Sequence, residues 1–468
     1  MNDKVLVQIV PTPRQIKHQQ LEFYAFIHFT VNTFTGKEWG DGTEDEAIFN
    51  PVQMDSKQWV QAVKSAGMKG LILTCKHHDG FCLWPSKYTK HTIANSPYKD
   101  GKGDIVREVS DACKEEGLEF GVYLSPWDRN QPVYGQGKEY DDYFVNQLTE
   151  LLTEYGDVFS VWFDGACGEG QNGKKQKYDW ERYYSVIRQL QPSACISVCG
   201  PDVRWCGNEA GDTRPSEWSV VPKRTSETES IASNSQQADK EEFRQRKIKA
   251  QDQDLGSRKA LADENDLIWY PAEVNTSIRP GWFYHSDEDS KVRTVEQLVH
   301  IYENSVGGNG TFLLNVPPMP TGRIHENDER VLRDLGNYLK KHFDTNLIKD
   351  AKISSNQESD IHPCSAVITD DYENYFCTKE GQGVIDLSIE LSDRKKLAYL
   401  VLKENICLSQ RIEKFSIIDD NGNLVYEGTT VGYKKIIPLN NLEASKITIQ
   451  IKDYRVYPTL SFVGLYEA

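Results

Sequence analysis

One pattern limits the fold of this chain more than any other, an alternation that runs through residues 20–340. Short apolar runs rich in β-branched and aromatic residues stand at 25–29, 70–76, 119–125, 158–164, 194–199, 267–270 and 311–316. Between them lie helical patterns at 56–66, 105–116, 140–155, 180–190 and 294–305. Strand–helix alternation over this length implies a parallel sheet, and its extent points to a (β/α)8-like (TIM) barrel. Fewer than eight clean strands emerge, so an irregular barrel is expected. A polar, highly charged stretch at 222–264 interrupts the pattern, and its segment 236–251 reads as an exposed helix. A loop of that length in a barrel usually carries function.

Near residue 346 the period changes to two. Alternating segments at 384–391, 397–401, 414–418, 446–451 and 459–465, with the turn signal Asp420-Asn421-Gly422-Asn423, read as a C-terminal β-sandwich. The expected organisation is a catalytic barrel over 1–345 and a sandwich over 346–468 that covers the barrel, with carbohydrate binding as the other role for the sandwich. The 468 residues suit two such units.

A net charge of −16 argues against binding nucleic acid or anionic membranes through bulk charge. No apolar run approaches the roughly 18 residues that span a bilayer. The first ten residues carry no hydrophobic signal core and no small-residue cleavage site. A periplasmic or secreted protein with its leader trimmed is expected, and a cytoplasmic one is the alternative. The 10 cysteines form no CxxC pair, and most sit in apolar stretches, so structural thiols are expected rather than disulfides.

Several residues at the ends of the runs carry chemistry. Asp164 ends the run Val161-Trp162-Phe163-Asp164, with Gly165 next. A carboxylate there sits where α/β barrels keep their active sites, although it can also simply cap the following turn. Glycoside cleavage commonly uses two carboxyl groups flanking one bond. Glu209, in Trp205-Cys206-Gly207-Asn208-Glu209-Ala210-Gly211, lies beyond the run at 194–199 and is the second candidate. Trp205 beside it would lower local polarity and raise its pKa, and a solvated loop acid is the plainer reading. Asp202, Glu217 and Glu273 compete for that role. His77 and His78 close another strand and can bind metal or sugar hydroxyls. His28 ends the first strand, and Trp39 follows on a loop where it can stack on a sugar face or merely pack.

Together, His28 with Glu38-Trp39, His77-His78-Asp79-Gly80-Phe81, Trp162-Phe163-Asp164-Gly165 and Gly308-Asn309-Gly310-Thr311-Phe312-Leu313-Leu314-Asn315-Val316 resemble the α-L-fucosidases of glycoside hydrolase family 29. The likeness covers roughly residues 15–345. It implies a retaining double displacement with Asp164 as nucleophile. The stretch 205–211, together with Phe120-Gly121-Val122-Tyr123-Leu124-Ser125-Pro126-Trp127-Asp128, is similar to the branch selective for α-1,3/1,4-linked fucose, which makes Glu209 the acid/base. By the same resemblance His28, Glu38, Trp39, His77, His78, Tyr123 and Trp162 form the fucose pocket, with Ser125 as the alternative to Tyr123 and Trp282 as a further wall. No cofactor and no metal are implied. The expected partner is a fucosylated oligosaccharide or glycoconjugate glycan, with no nucleic acid and no membrane insertion. The alternatives are a fucosidase of broader or other linkage (α-1,2 or α-1,6), a catalytically inactive fucose-binding lectin, and a metal-dependent hydrolase built on His77 and His78.

Overall fold

The first strand shows how the sequence builds the barrel wall. In Phe23–Ile27, Phe23, Ala25 and Ile27 belong to the large core between sheet and helices, whereas Tyr24 and Phe26 belong to a second cluster that includes Ile72, Phe159, Trp162 and Leu313. Side chains alternate across a strand, so a continuously apolar run can serve two buried faces at once. The second cluster is the packed interior of the barrel.

A computed structural model describes residues 2–235, 240–381 and 383–468. The barrel strands are β1 (Phe23–Ile27), β2 (Gly70–Lys76), β3 (Glu119–Leu124), β4 (Ser160–Phe163), β5 (Cys195–Val198), β6 (Arg204–Trp205), β7 (Ala272–Ser277) and β8 (Gly310–Asn315). They pair in parallel in the order β5-β4-β3-β2-β1-β8-β7-β6. Ser197 bridges Val203, and the Val198 N–H donates to the Val203 carbonyl at 3.0 Å, so the two edges meet. No helix separates β5 from β6, which is the irregularity of this barrel.

Helices Ser56–Ser65, Ile105–Glu116, Trp180–Leu190 and Val295–Ser305 flank the sheet. Each begins at a side-chain cap, from Asp55, Asp104, Asp179 and Thr294 respectively. Such caps satisfy otherwise orphaned N–H groups and contribute about 1 kcal/mol each.

Two expectations are corrected, and one strand was not anticipated. The run at 267–270 is not a barrel strand. Its Leu267–Trp269 pairs antiparallel with Val220–Pro222 outside the barrel, and the barrel strand is Ala272–Ser277, just past Pro271. Its polar residues Glu273, Asn275 and Thr276 hide it from an apolar-run reading. Arg204–Trp205 is a barrel strand too short for any periodicity. For the helix read at 236–251, residues 236–239 lie outside the described residues. The remainder holds only Glu241–Arg244 and a 3-10 turn at Ala250–Asp252, because no apolar stripe stabilises anything longer.

The C-terminal sandwich is organised by two long antiparallel strands, Ile385–Lys403 and Lys435–Tyr454. Their pairing shifts register between Glu390 and Lys395. Before the shift the first strand is flanked by Lys352–Ser355, and after it by Phe462–Glu467. Each long strand thus serves both layers, and the layers enclose Ile385, Leu387, Ile389, Phe415, Ile437 and Ile449. The runs read at 384–391 and 397–401 are therefore one strand. All ten cysteines are free thiols, eight of them buried.

The sandwich meets the barrel near the start of β1, where Glu22 accepts from the Tyr433 hydroxyl at 2.8 Å and the Lys434 ammonium at 2.9 Å. Asn309, just before β8, accepts from the Tyr433 N–H at 2.7 Å. Both contacts lie at the end of the barrel opposite the carboxyl ends of the strands.

Candidate active site

The carboxyl ends of the strands converge on one pocket. His28 follows β1, His77 and His78 follow β2, Asp164 follows β4, and Trp205 ends β6. These line the pocket together with Glu38, Trp39, Trp162, Glu209 and Trp282. Phe26, Val198 and Asn275 complete the wall.

Glu209 is held by its own loop. The Asn208 carboxamide oxygen accepts from the N–H groups of Ala210 and Asp212, each at 3.0 Å, and its amide donates to the Asp212 carbonyl at 2.9 Å. Trp205 donates its indole N–H to the Asn208 carbonyl at 3.2 Å and to the Asn275 side chain at 3.1 Å. Glu209 therefore follows β6 itself rather than the open end of β5. Among the described residues its carboxyl receives one N–H, from the Trp282 indole at 3.1 Å. Burial first, and the nearby Asp164 carboxylate as well, push its pKa up to about 8. At neutral pH Glu209 is a carboxylic acid with a proton to give.

Asp164 is differently served. Its carboxylate accepts from the Ala166 N–H at 2.8 Å, from the Tyr123 hydroxyl at 3.0 Å and from the Gly165 N–H. Burial raises its pKa above the ordinary carboxylate value, and these donors oppose the rise because they stabilise the charged form. Two carboxyls in one pocket thus have unequal surroundings, with donors that favour the charged form gathered on Asp164 and burial dominating at Glu209.

The three histidines are neutral. Burial pulls His28 down to about 4 and His78 down to about 3, and holds His77 well below its usual value. A neutral imidazole donates at one nitrogen and accepts at the other, which suits sugar hydroxyls. His28 Nδ1 pairs with the Asn315 side chain at 2.8 Å and His78 Nδ1 with the Ser125 hydroxyl at 2.7 Å. His77 stacks on Tyr123 with ring centroids 5.6 Å apart. Glu38 accepts from the Trp282 N–H at 2.8 Å, the Phe283 N–H at 3.2 Å and His285 Nε2 at 2.7 Å, and these partners hold its pKa below normal against the opposing effect of burial. Trp39 stands edge-on to His78 and Trp127.

Nine of the ten residues assigned to the site from sequence line this pocket. Tyr123 does not: it is fully buried and reaches the site through its hydroxyl on Asp164 and its ring against His77. Ser125 is likewise buried and orients His78. The three rival acids are engaged elsewhere. Glu217 is clamped between Arg204 and Arg214, which hold its pKa below normal against burial. Asp202 is paired with Arg14 and Arg188. Glu273 lies beneath the floor and accepts from the Trp162 indole at 2.7 Å and from the Tyr24 hydroxyl. Asn275, Asn315 and His285 were missed. Asn315 sits inside the quoted Leu-Leu-Asn-Val motif, but nothing there marks it as the partner of His28.

His77, His78 and Asp164 bring three potential metal-ligand atoms within 4.8 Å of one another. His78 Nε2 lies 3.7 Å from Asp164 Oδ2. The cluster offers three protein ligands for an ion.

The profile of the alpha-L-fucosidase family matches residues 12–344. The chain is 38% identical to Alpha-L-fucosidase 1 of Arabidopsis thaliana over 98% of its own length and 87% of that protein's. It is similar to a solved glycoside hydrolase 29 family member from an unknown rumen bacterium (37% identity, TM-score 0.79, 98% of this chain and 77% of that one). It is also similar to a GH29 fucosidase of Ruminococcus gnavus solved in complex with fucose (30% identity, TM-score 0.84, 98% and 95%).

Proposed function

The chain belongs to the alpha-L-fucosidase family of glycoside hydrolases, and from that premise we propose that it removes terminal α-1,3- or α-1,4-linked fucose from branched, Lewis-type glycans with retention of configuration. The observation that carries this reading is the unequal pair in one pocket. Asp164 is supplied with three donors, while Glu209 is buried with one donor among the described residues and a pKa of about 8.

In the first step Asp164 attacks the anomeric carbon as Glu209 protonates the departing oxygen. In the second, Glu209 takes a proton from water, which then displaces Asp164. Tyr123 and the Ala166 N–H keep Asp164 oriented. The imidazoles and Glu38 hold the fucose hydroxyls, and the aromatic walls Phe26, Trp162 and Trp282 suit the C5-methyl group.

A branched leaving group needs room on the side of the acid. A groove of about 640 Å³ begins there, sharing Glu209 and Trp282 with the pocket and continuing along Thr276, Arg279 and Arg293. It supports the branched-glycan reading over a minimal fucoside.

The test compares fucose release from a Lewis-type branched trisaccharide with release from a linear α-1,2-fucosylated glycan. Release from the branched substrate alone is expected. Comparable release from both would remove the linkage claim. No release from either, with an inert aryl fucoside as well, would favour a fucose-binding lectin.

A further inference from the structure

A second cavity, of about 360 Å³, lies across Trp205 from the fucose pocket. Trp205 lines both. The loop at 207–211 that carries Glu209 divides this cavity from the groove on the other side, since Gly207 faces the cavity and Ala210 faces the groove. The cavity's charge is unlike that of the whole molecule. In a chain of net charge −16, the described residues of its lining include six cations, Arg204, Arg214, Arg224, Arg246, Lys247 and Lys249, against one acid, Asp252, and of these Arg224 is paired with Glu264.

The base of the cavity is built rather than incidental. Arg204 is 5% exposed, and its Nε and Nη1 have no hydrogen-bond partner among the described residues. Its Nη2 binds Glu217, and Arg214 Nη1 binds the same carboxylate at 3.0 Å, so two buried guanidiniums share one counter-ion. A buried donor almost always has a partner, and these two nitrogens lie beneath the cavity surface rather than in its opening, so they contribute charge to the wall. Nearer the mouth, the Arg246 guanidinium lies 5.9 Å from the Trp205 ring centroid and donates to the Gly207 carbonyl at 3.1 Å. The excess positive charge therefore reaches the loop that presents the acid.

We propose that this cavity is a subsite for an oxyanion carried by the glycan, a sulfate ester or a sugar carboxylate on a residue next to the fucosylated one. The inference rests on the fucosidase reading and extends it to the class of glycan preferred. Guanidinium forks match the paired oxygens of sulfate and carboxylate. The leaving group beside Glu209 is branched, so one arm follows the groove on the Ala210 side while an acidic second arm reaches past Trp205 toward Arg246, Lys247 and Lys249. The net negative charge of the molecule disfavours such a glycan in general, so a cationic cavity beside the pocket also orients it.

The test measures kcat/KM at low ionic strength for a neutral Lewis-type trisaccharide, the same trisaccharide bearing one sulfate ester, and its sialylated form. At least one anionic substrate is expected to be favoured about tenfold or more, an advantage that shrinks in high salt. Replacing both exposed lysines (Lys247→Gln with Lys249→Gln) is expected to cut that ratio about threefold or more, and Arg204→Met to cut it further. Inorganic sulfate is expected to inhibit hydrolysis of the favoured anionic substrate while sparing the neutral one. Sulfate that changes both alike would indicate a site for the free anion and overturn the substrate assignment. Equal kcat/KM on all three substrates, or a ratio unchanged in the double variant, would overturn the subsite while leaving the fucosidase reading intact. Failure of that reading is separate and shows as no hydrolysis of the neutral trisaccharide.

Discussion

In the proposed reaction Asp164 and Glu209 take opposite roles, and the donors around the two carboxyls differ accordingly. Among the described residues the Trp282 indole is the one side-chain donor on Glu209, and it stabilises the carboxylate form. Removing it should raise the Glu209 pKa further. A pH profile of kcat/KM on the branched glycan should fall on the alkaline side near pH 8, as Glu209 loses its proton. In Trp282→Phe that limb should move to higher pH, and an unmoved or lowered limb would contradict the assignment. Tyr123 acts in the same way on the other carboxyl. Tyr123→Phe removes a donor to the charged form of Asp164, so the acidic limb should move upward. Turnover should drop about 10–100-fold, the usual consequence of losing a hydrogen bond to a charged group worth about 1.5–3 kcal/mol.

At the scale of elements, the loop after β6 decides where the acid stands. Asn208 makes three hydrogen bonds within it, and all three would go in Asn208→Ala. Turnover on natural glycans is expected to fall about 100-fold, since a misplaced catalytic group costs that much. Activity on an aryl fucoside with a good leaving group should fall far less, because it needs little protonation. Equal losses would mean that the loop only supports the fold. What could be read from the sequence follows element length and composition. Runs such as Gly70–Lys76 and helices such as Ile105–Glu116 and Trp180–Leu190 are long, and their apolar residues recur at the structural period, so their bounds are read almost residue for residue. Arg204–Trp205 has two residues, too few to show a period, and Ala272–Ser277 uses Glu273 and Asn275 to line the barrel interior, which makes it look like a loop. The same cause hid Asn275 and Asn315 from the site. Their roles depend on which strands become neighbours, β7 beside β6 and β8 beside β1, and no local pattern encodes that.

At the scale of the whole molecule, the sandwich is tied to the barrel by buried charge. Glu22 receives Tyr433 and Lys434 and lies 3.7 Å from the Lys403 ammonium. Burial alone would raise its pKa, but these lysines outweigh it and hold the group well below the usual glutamate range. A depressed folded-state pKa contributes stability that is present above the unfolded value, about 4.3, and is lost as pH falls below it toward the folded one. Stability should therefore decline with acid below about pH 4 in the native protein, and Glu22→Gln should weaken that decline. Breaking the pair by Lys434→Met should cost about 3–5 kcal/mol at neutral pH, read from denaturant unfolding. A variant as stable as the native protein would show that the junction does not hold the units together.

The central claim is that Asp164 is the nucleophile of a retaining reaction, and chemical rescue tests it most directly. Asp164→Ala, assayed on an aryl α-L-fucoside, should lose at least about a thousandfold in kcat. Added azide should restore part of the activity and yield the β-fucosyl azide, because the small anion enters from the face that the carboxylate vacated. Turnover close to native without azide, or an azide product of the α configuration, would contradict the account.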